Sequence, residues 1–218
     1  DTDMAYLPAL AAPSDRNCMS REIELLPAAQ QLAQFRQFRV YWARAAQLPS
    51  VLQDIRRERE RTFRQHAEGS GAPSDGDDFD HSYHHLLVWD DAARQVIGAY
   101  RLGRTDELRK AGGNAALYLS QMFEFSDEFH ECGGAALELG RSFVIPEHQR
   151  SFHALYLLWQ GIGAYLAHFP KYRRLYGTVS LSRLYSPFAI AAICDQLVEP
   201  DPRVRPRAPL EALQDAEW

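Results

Sequence analysis

Hydrophobic and polar positions change their period along the first third of the chain. Residues 22–36 are predicted to form a short helix that leads into a strand at 38–44, where aromatic and β-branched residues favour extended backbone. Apolar residues recur every three or four positions from 48 to about 66, which predicts a long helix with Arg59 on its apolar stripe. The Gly-, Ser-, Pro- and Asp-rich stretch at 68–78 predicts a mobile loop.

The remaining pattern predicts a hairpin followed by a strand–helix–strand unit. Two strands at 83–89 and 95–102 are joined by the turn-forming residues 90–94, which is typical of an antiparallel hairpin. The later predicted elements are a short helix capped by Thr105, a strand at 136–144, a helix at 151–169 with the stripe Leu155, Leu158, Trp159, Ile162 and Leu166, a strand at 175–181 and a helix at 187–198. This order predicts an α+β, or mixed α/β, fold with helices packed against a sheet.

Composition agrees with a folded protein. The 218 residues are 46% hydrophobic and 24% charged, which suits one domain, or two small ones, and excludes a disordered or fibrous chain. No apolar run reaches the roughly 18 residues of a membrane span. The net charge of -5 gives no support to nucleic-acid binding. Of the 24 cationic residues, only Lys110 and Lys171 are lysines, and the arginine side chain suits carboxylate and phosphate recognition.

Cysteine usage and the first residues bear on location. Cys18, Cys132 and Cys194 are odd in number and widely spaced, so we expect neither a disulfide framework nor a zinc site. Residues 1–20 lack a secretory signal. We therefore expect a cytoplasmic protein and leave a peripheral contact with the inner membrane open. Because the chain begins at Asp1, we expect a processed product or a fragment of a longer polypeptide.

The strand at 136–144 and the turn after it carry the candidate chemistry. Strict alternation would send Glu138 and Arg141 to opposite faces, but Gly140 between them indicates a bulge that could turn both charges toward one cleft and free a backbone N–H. The alternative is that Glu138 and Arg141 pair only with other charged residues at the edge of the sheet. The amide donors at the start of the next helix, near Arg150 and Ser151, suit a phosphate group.

The segment Glu138-Leu-Gly-Arg141-Ser-Phe-Val-Ile-Pro146 resembles the core of the N-acyltransferases related to ornithine-lipid and N-acyl amino acid synthases. These form a branch of the GNAT superfamily that is also labelled hemolysin-like, and the segment is similar to acyl-homoserine-lactone synthases as well. Three further motifs match in order, namely Arg59-x-x-x-Phe63, Asp77-x-Phe79-Asp80 and Arg101. The resemblance covers about residues 38–198 and implies a GNAT-like, mostly antiparallel central sheet flanked by helices.

The resemblance also implies a reaction and a set of roles. It implies acyl transfer from a phosphopantetheine thioester, on acyl carrier protein or coenzyme A, to the amine of an amino acid such as ornithine, with no tightly bound cofactor and no metal. Phe152 replaces the first glycine of the usual phosphate turn, which favours the carrier protein as donor. The residues assigned are Glu138 as general base with Arg141 as catalytic; Arg59, Phe63, Asp77, Asp80, Arg101 and Ser142 as substrate-binding; and Val144, Arg150 and Ser151 as donor-binding.

Several alternatives stay open. We divide the chain into an N-terminal extension (1–37), a GNAT-like domain (38–198) and a C-terminal tail (199–218) without a convincing strand. The family's fold has further strands, so either the chain stops short, or residues are absent, or a partner completes the sheet. Arg59 could instead pair with Asp77 or Asp80 in a structural role. The competing functions are a signal synthase that uses S-adenosylmethionine and a non-catalytic module that binds a carrier protein or a membrane-bound partner.

The histidine-rich stretch invites a metal hypothesis. His81, His84 and His85 lie near Asp78 and Asp80, which are ligand types found in metal sites. Neighbouring residues of a strand point to opposite faces, so His84 and His85 should not share a ligand set. We therefore expect no metal site here.

Overall fold

A central sheet organises the protein. The computed structural model describes residues 7–181, 185–197, 199 and 201–208. Its strands are β1 (Gln31–Phe35), β2 (Phe38–Arg44), β3 (His84–Asp90), β4 (Gln95–Arg104), β5 (Phe123–Phe125), β6 (Ala136–Val144), β7 (Arg174–Gly177) and β8 (Val204–Pro206). Within these residues a six-stranded sheet has the order β1-β2-β3-β4-β6-β7. Every neighbouring pair is antiparallel except β6 and β7, which are parallel. The mixed, mostly antiparallel sheet predicted from the sequence is confirmed.

Helices cover the sheet. They are α1 (Arg16–Glu24), α2 (Pro49–Arg64), α3 (Phe79–Ser82), α4 (Thr105–Gly112), α5 (Asp127–Glu131), α6 (Phe152–His168) and α7 (Pro187–Leu197). The predicted helices at 48–66, 151–169 and 187–198 correspond to α2, α6 and α7, with residue 198 outside the described residues. None of the helices in the described part of the chain combines the length and apolar character needed to cross a bilayer.

The two long helices lie on opposite faces of the sheet. Neighbouring β4 residues show this, because Tyr100 contacts Trp159 of α6 while Arg101 forms ion pairs on the face of α2. The core therefore forms two apolar layers, one on each face of the sheet. Where two neighbouring strands separate, side chains from both layers can come together.

The buried face of α6 differs from the predicted stripe. Leu158 and Ile162 are buried as expected, but Leu155 and Trp159 are 51% and 53% exposed. The helix is apolar on most of its circumference, so periodicity alone selects no face. Gly161 determines which face of the helix is buried, because a Cβ there would lie 2.6 Å from Cγ1 of Val40. Close approach of helix and sheet turns the glycine inward and Trp159 outward.

The N-terminal elements correct the predicted helix at 22–36. The helix begins earlier, because the Asp15 carboxylate accepts hydrogen bonds from the backbone N–H groups of Asn17 and Cys18. It ends before Pro27, which cannot donate a helical hydrogen bond. Residues 31–35 form β1, an edge strand of the sheet. Part of the predicted extension at 1–37 thus belongs to the sheet.

The tail also contributes a strand. β8 lies within the predicted strandless tail at 199–218 and pairs with β5, which the sequence pattern did not predict. The acidic end of the tail, 209–218, lies outside the described residues. The strand predicted at 175–181 is shorter than expected, since β7 ends at Gly177. The residues after it line the site described next.

Candidate active site

A cleft opens where the two parallel strands separate. β6 and β7 pair from Ala136 with Arg174 to Leu139 with Gly177, and no later pair follows among the described residues. A Cβ on Gly177 would lie 2.4 Å from the carbonyl oxygen of Leu139, so the last paired position requires glycine. Beyond it the strands diverge around a cavity of about 590 Å³.

Both faces of the sheet contribute to this cleft. Phe63 reaches it from α2 and Trp159 from α6, while Tyr118 and Tyr176 add aromatic wall and Ser142 adds a hydroxyl. Because the strands part here, residues from both faces of the sheet line the same cavity.

A β-bulge shapes the cleft wall. Ala99 pairs with Phe143 and Arg101 pairs with Gly140, so β6 has one extra residue between the two pairs. The left-handed residue of the bulge is Arg141, with a φ of 52°. The bulge expected near Gly140 is confirmed, but the left-handed backbone that glycine favours occurs one residue later, at Arg141. Gly140 itself has open space around its Cβ position.

Glu138 lies buried behind the wall of the cleft. Its Oε1 accepts hydrogen bonds from the Tyr83 hydroxyl at 3.0 Å and from the Leu119 backbone N–H at 3.2 Å. Its Oε2 is buried without a hydrogen-bond partner among the described residues, as is the hydroxyl of Tyr176, the residue that pairs with Glu138 across β6 and β7. Burial raises the pKa of Glu138 above the usual range, although the hydrogen bonds from Tyr83 and Leu119 act to lower it.

Arginines and aspartates form a buried network between α2, β4 and the acidic loop. Arg59 Nε donates to Asp75 Oδ2 at 2.9 Å, and Arg59 Nη2 donates to Asp80 Oδ2 at 3.4 Å. Asp80 also accepts from Arg56 Nε at 2.7 Å and from Arg101 Nη1 at 3.0 Å. Arg59 thus pairs with Asp80, as one alternative proposed, and with Asp75, which the sequence did not single out.

Arg141 connects this network to the cleft. Its Nη1 donates to Asp75 Oδ2 at 2.9 Å, and its Nη2 lies 3.5 Å from Asp77 Oδ2. Arg101 Nη1 donates to the same Asp77 carboxylate. The guanidinium carbons of Arg101 and Arg141 lie 4.8 Å and 5.0 Å from the ring centroid of Tyr118. Arg141 is the member of the network whose side chain lines the cleft.

The network holds one more positive than negative group. Arg56, Arg59, Arg101 and Arg141 face three aspartates, at positions 75, 77 and 80. Burial by itself raises the pKa of Asp80, but the nearby arginines outweigh it and hold that pKa well below its usual range. Asp80 stays ionised, and the surplus charge among these paired groups favours an anion next to Arg141.

Two members of the network were missed in the sequence. Arg56 lies one turn before Arg59 on the same side of α2, so its helical spacing was an available signal. Asp75 lies two residues before Asp77 in the acidic loop, but nothing local distinguishes it from Asp78, which is exposed. Only the folded loop shows which aspartate turns inward.

The predicted site residues fall into three groups. Phe63, Arg141 and Ser142 line the cleft. The residues in the buried layer behind it are Arg59, Asp77, Asp80, Arg101 and Glu138. Val144, Arg150 and Ser151 are not among the residues that line the described cavity. Ser151 caps α6 through a hydrogen bond from the His153 backbone N–H at 3.3 Å, and the donor-binding role of all three stays a prediction.

The strand histidines point in opposite directions. His84 Nδ1 lies 2.9 Å from the Tyr165 hydroxyl, and its ring stacks on Trp42 at a centroid distance of 4.8 Å. His85 Nε2 lies 2.8 Å from the backbone carbonyl oxygen of Asp80. Burial lowers the pKa of His84 to about 3 and that of His85 to about 4, so both rings are neutral. His85 supports the loop that carries Asp80.

A central segment of the chain matches a known domain family. Residues 59–160 match the family model of the acetyltransferase (GNAT) domain, a segment that includes the end of α2, the acidic loop, β4, the bulged β6 and the first half of α6. This segment of the chain is therefore similar to a GNAT acetyltransferase domain, and it supplies most of the residues that line the cleft.

Curated relatives are N-acyltransferases. The chain is similar to a glycine N(alpha)-acyltransferase of Bacteroides thetaiotaomicron, with 37% identity over 63% of this chain and 44% of the relative. It is also similar to an L-ornithine N(alpha)-acyltransferase of Rhizobium meliloti, with 31% identity over 73% of this chain and 55% of the relative. The chain spans about half the length of these relatives.

Among solved structures, one similar chain is an aminoglycoside acetyltransferase from an uncultured soil metagenomic sample. The two share 9% sequence identity, the match covers 76% of this chain and 94% of that one, and the TM-score is 0.43.

Proposed function

We propose that this chain is an N-acyltransferase that moves an acyl group from a phosphopantetheine thioester to the amine of an amino acid such as ornithine or glycine. The observation that carries the proposal is the cleft between β6 and β7, with the Arg141 guanidinium in its wall and the Glu138 carboxylate buried behind it. The similarity to glycine and L-ornithine N(alpha)-acyltransferases supports the same reaction.

Arg141 binds the carboxylate of the acceptor amino acid. Its Nη1 and Nη2 face Asp75 and Asp77, but 24% of its side-chain surface stays exposed, and the residue lines the cleft. The extra positive charge of the network is therefore available to an anion in the cleft. A guanidinium–carboxylate pair fixes both the position and the orientation of the acceptor.

Glu138 takes the proton that the acceptor ammonium loses. Its raised pKa makes the carboxylate a stronger base than an ordinary glutamate. Since Leu139, its neighbour, and Tyr176, its pairing partner, line the cleft while Glu138 is buried, the proton reaches Oε2 through an intervening water or hydroxyl. The free amine nitrogen then attacks the thioester carbonyl carbon. The C–N bond forms, the C–S bond breaks, and the leaving thiolate takes up the second proton, which the attacking nitrogen loses as the amide forms.

The donor arm lies along the edge of β6. From Gly140 onward this strand has no β7 partner among the described residues, so an extended pantetheine amide chain can use the open edge. A backbone N–H of the bulge at Arg141 is the candidate donor to the thioester oxyanion. The aromatic wall of Tyr100, Tyr118 and Trp159 suits a hydrocarbon chain. We propose acyl carrier protein as the donor, with acyl-coenzyme A as the other source of the same arm.

The test is thiol release with product identification. Purified protein is incubated with a long-chain acyl-carrier-protein thioester or acyl-coenzyme A and a panel of amino acids, and N-acyl products are measured by mass spectrometry. We expect amide formation that Glu138→Gln lowers by about 10²–10⁴-fold, the range for loss of a general base. Absence of thiol release above the level of that variant would reject the proposal.

The product pattern also separates the competing functions. A lactone formed from S-adenosylmethionine would identify a signal synthase. Carrier-protein binding without turnover would identify a non-catalytic binding module.

A further inference from the structure

Two charged side chains of opposite sign line the cleft. Of the described residues in its walls, only Glu68 and Arg141 carry a formal charge at neutral pH. Arg141 comes from the bulge of β6, whereas Glu68 comes from the loop that follows α2. The cavity is therefore suited to a molecule that carries both a carboxylate and a separate cation.

The chain fixes the position of Glu68. Ala67 adopts a left-handed backbone, with a φ of 57°, which turns the chain after α2. The Glu68 backbone N–H then donates to the carbonyl oxygen of Phe63 at 2.9 Å. Phe63 lines the same cleft, so this hydrogen bond holds the backbone of Glu68 at the cleft wall.

A buried carboxylate anchors the next residues of this loop. Glu60 Oε2 accepts from the Ser70 backbone N–H at 2.9 Å and from the Ser70 hydroxyl at 2.7 Å, and Glu60 Oε1 accepts from the Gly71 N–H at 3.1 Å. Arg64 Nε donates to the same Glu60 carboxylate at 2.8 Å. The loop predicted to be mobile is thus tied to α2 at Glu68 and at the residues after it, which gives the Glu68 backbone a defined place.

The Glu68 carboxylate has no internal counter-charge. Within the described residues its side chain forms no hydrogen bond or ion pair, although arginines are abundant nearby. Arg64 and Arg61, on the last turn of α2, pair with Glu60 and Glu58 instead. An acidic side chain that faces a cavity while neighbouring arginines pair elsewhere is available to a cationic group of a ligand.

We propose that Glu68 makes the acceptor site selective for amino acids with a second, side-chain ammonium group. This inference rests on the proposed N-acyl transfer. Arg141 holds the acceptor carboxylate, Glu68 holds the side-chain ammonium, and the α-amine is left to attack the thioester. A neutral side chain leaves the Glu68 carboxylate partly desolvated without a partner, which penalises such acceptors.

The experiment compares acceptors that differ only in the ammonium group. Ornithine and norvaline share the same carbon chain, and norvaline lacks the side-chain nitrogen. The measured quantity is the ratio of kcat/KM for ornithine to that for norvaline, in the natural protein, in Glu68→Gln and in the control Glu24→Gln. Glu24 is an exposed residue at the end of α1 that does not line this cleft.

We expect the natural protein and Glu24→Gln to prefer ornithine by at least about tenfold, as for a charge-assisted contact in a partly exposed site. Glu68→Gln should lose that preference, because its kcat/KM for ornithine falls and its kcat/KM for norvaline rises once the penalty on neutral acceptors is removed. If Glu68→Gln keeps the preference, or if the natural protein shows none, the inference is wrong. Thermal melting of each variant checks that the isosteric change leaves the fold intact.

Calorimetric titration of ornithine separates failure of the inference from failure of the proposed reaction. If no acceptor is acylated but ornithine binds and Glu68→Gln weakens that binding about tenfold, the reaction is rejected and the role of Glu68 stands. If ornithine binds neither protein, or binds both equally, the role of Glu68 is rejected.

Discussion

The Tyr83 hydroxyl donates a 3.0 Å hydrogen bond to one oxygen of Glu138 and leaves the other oxygen without a partner among the described residues. Gly103 makes this contact possible, because a Cβ at that position would lie 2.4 Å from the Tyr83 ring. The carboxylate is therefore oriented by one oxygen and kept available through the other. This is the arrangement expected of a positioned base, and it separates the orienting contacts of Glu138 from its proton-accepting atom.

Glu138→Gln should lower activity by about 10²–10⁴-fold without lowering stability at neutral pH. The amide oxygen can still accept from Tyr83 and Leu119, and the buried negative charge is removed. Because the folded pKa of Glu138 is raised, the folded state binds its proton more tightly than the unfolded state does. Its contribution to stability is therefore lost as pH rises from the ordinary glutamate pKa through the raised one.

Melting temperatures at pH 5 and 7.5 check this prediction. At pH 7.5 the melting temperature of Glu138→Gln should equal or exceed that of the natural protein. The difference in melting temperature should be smaller at pH 5. In the natural protein, kcat/KM should rise with pH above the ordinary glutamate pKa of about 4.3. A large drop in melting temperature at both pH values would instead assign Glu138 a structural role.

Asp80→Asn should be strongly destabilising. Asp80 is fully buried and accepts from Arg56, Arg59 and Arg101, so the substitution leaves these guanidinium groups undercompensated. We expect a loss of about 3–5 kcal/mol in the free energy of unfolding at pH 7, measured by urea denaturation. Asp78→Asn, an exposed neighbour, should change it by less than about 0.5 kcal/mol.

The stabilisation that Asp80 provides should decrease as the pH falls. Its folded pKa is depressed, so its stabilising contribution is present above the ordinary aspartate pKa of about 3.9 and is lost as pH falls below it. The difference between the natural protein and Asp80→Asn should therefore narrow in acid. A difference that stays constant from pH 7 down to the acid limit of folding would contradict the ion-pair explanation.

Arg141→Gly and Arg141→Ala should separate substrate binding from backbone strain. Both remove the guanidinium and should raise the KM for the acceptor. Arg141 has a φ of 52°, which alanine tolerates poorly and glycine tolerates well. The free energy of unfolding of Arg141→Ala should therefore be about 1 kcal/mol lower than that of Arg141→Gly. Urea denaturation and acceptor KM measure the two effects. Arg94→Gly, at the same φ in the hairpin turn, should leave the KM unchanged.

Gly177→Ala should disturb the point where β6 and β7 separate. The added Cβ would lie 2.4 Å from the backbone carbonyl oxygen of Leu139, which cannot move without displacing the strand. We expect a loss of about 1–3 kcal/mol in the free energy of unfolding. Gly163→Ala is the control, since open space surrounds that position of α6, and it should stabilise by about 0.5–1 kcal/mol. Equal effects of the two substitutions would argue against the close strand contact.

The sequence by itself determined the local elements and singled out candidate residues for the chemistry. Hydrophobic periodicity located the hairpin, α2 and α6, because side-chain direction repeats with the backbone period. The ordered motifs identified Arg59, Asp80, Arg101 and Arg141 as related residues, and the fold joins all four through one ion-pair network.

Only the tertiary structure decided which residues face one another. Asp75 is separated by 16 residues from Arg59 and by 66 from Arg141, and local pattern carries no information on such pairs. The same holds for the pairing of β5 with β8, for the face that α6 buries and for the left-handed position of the bulge at Arg141. Each depends on strand register and close packing between distant segments, which exist only once the chain has folded.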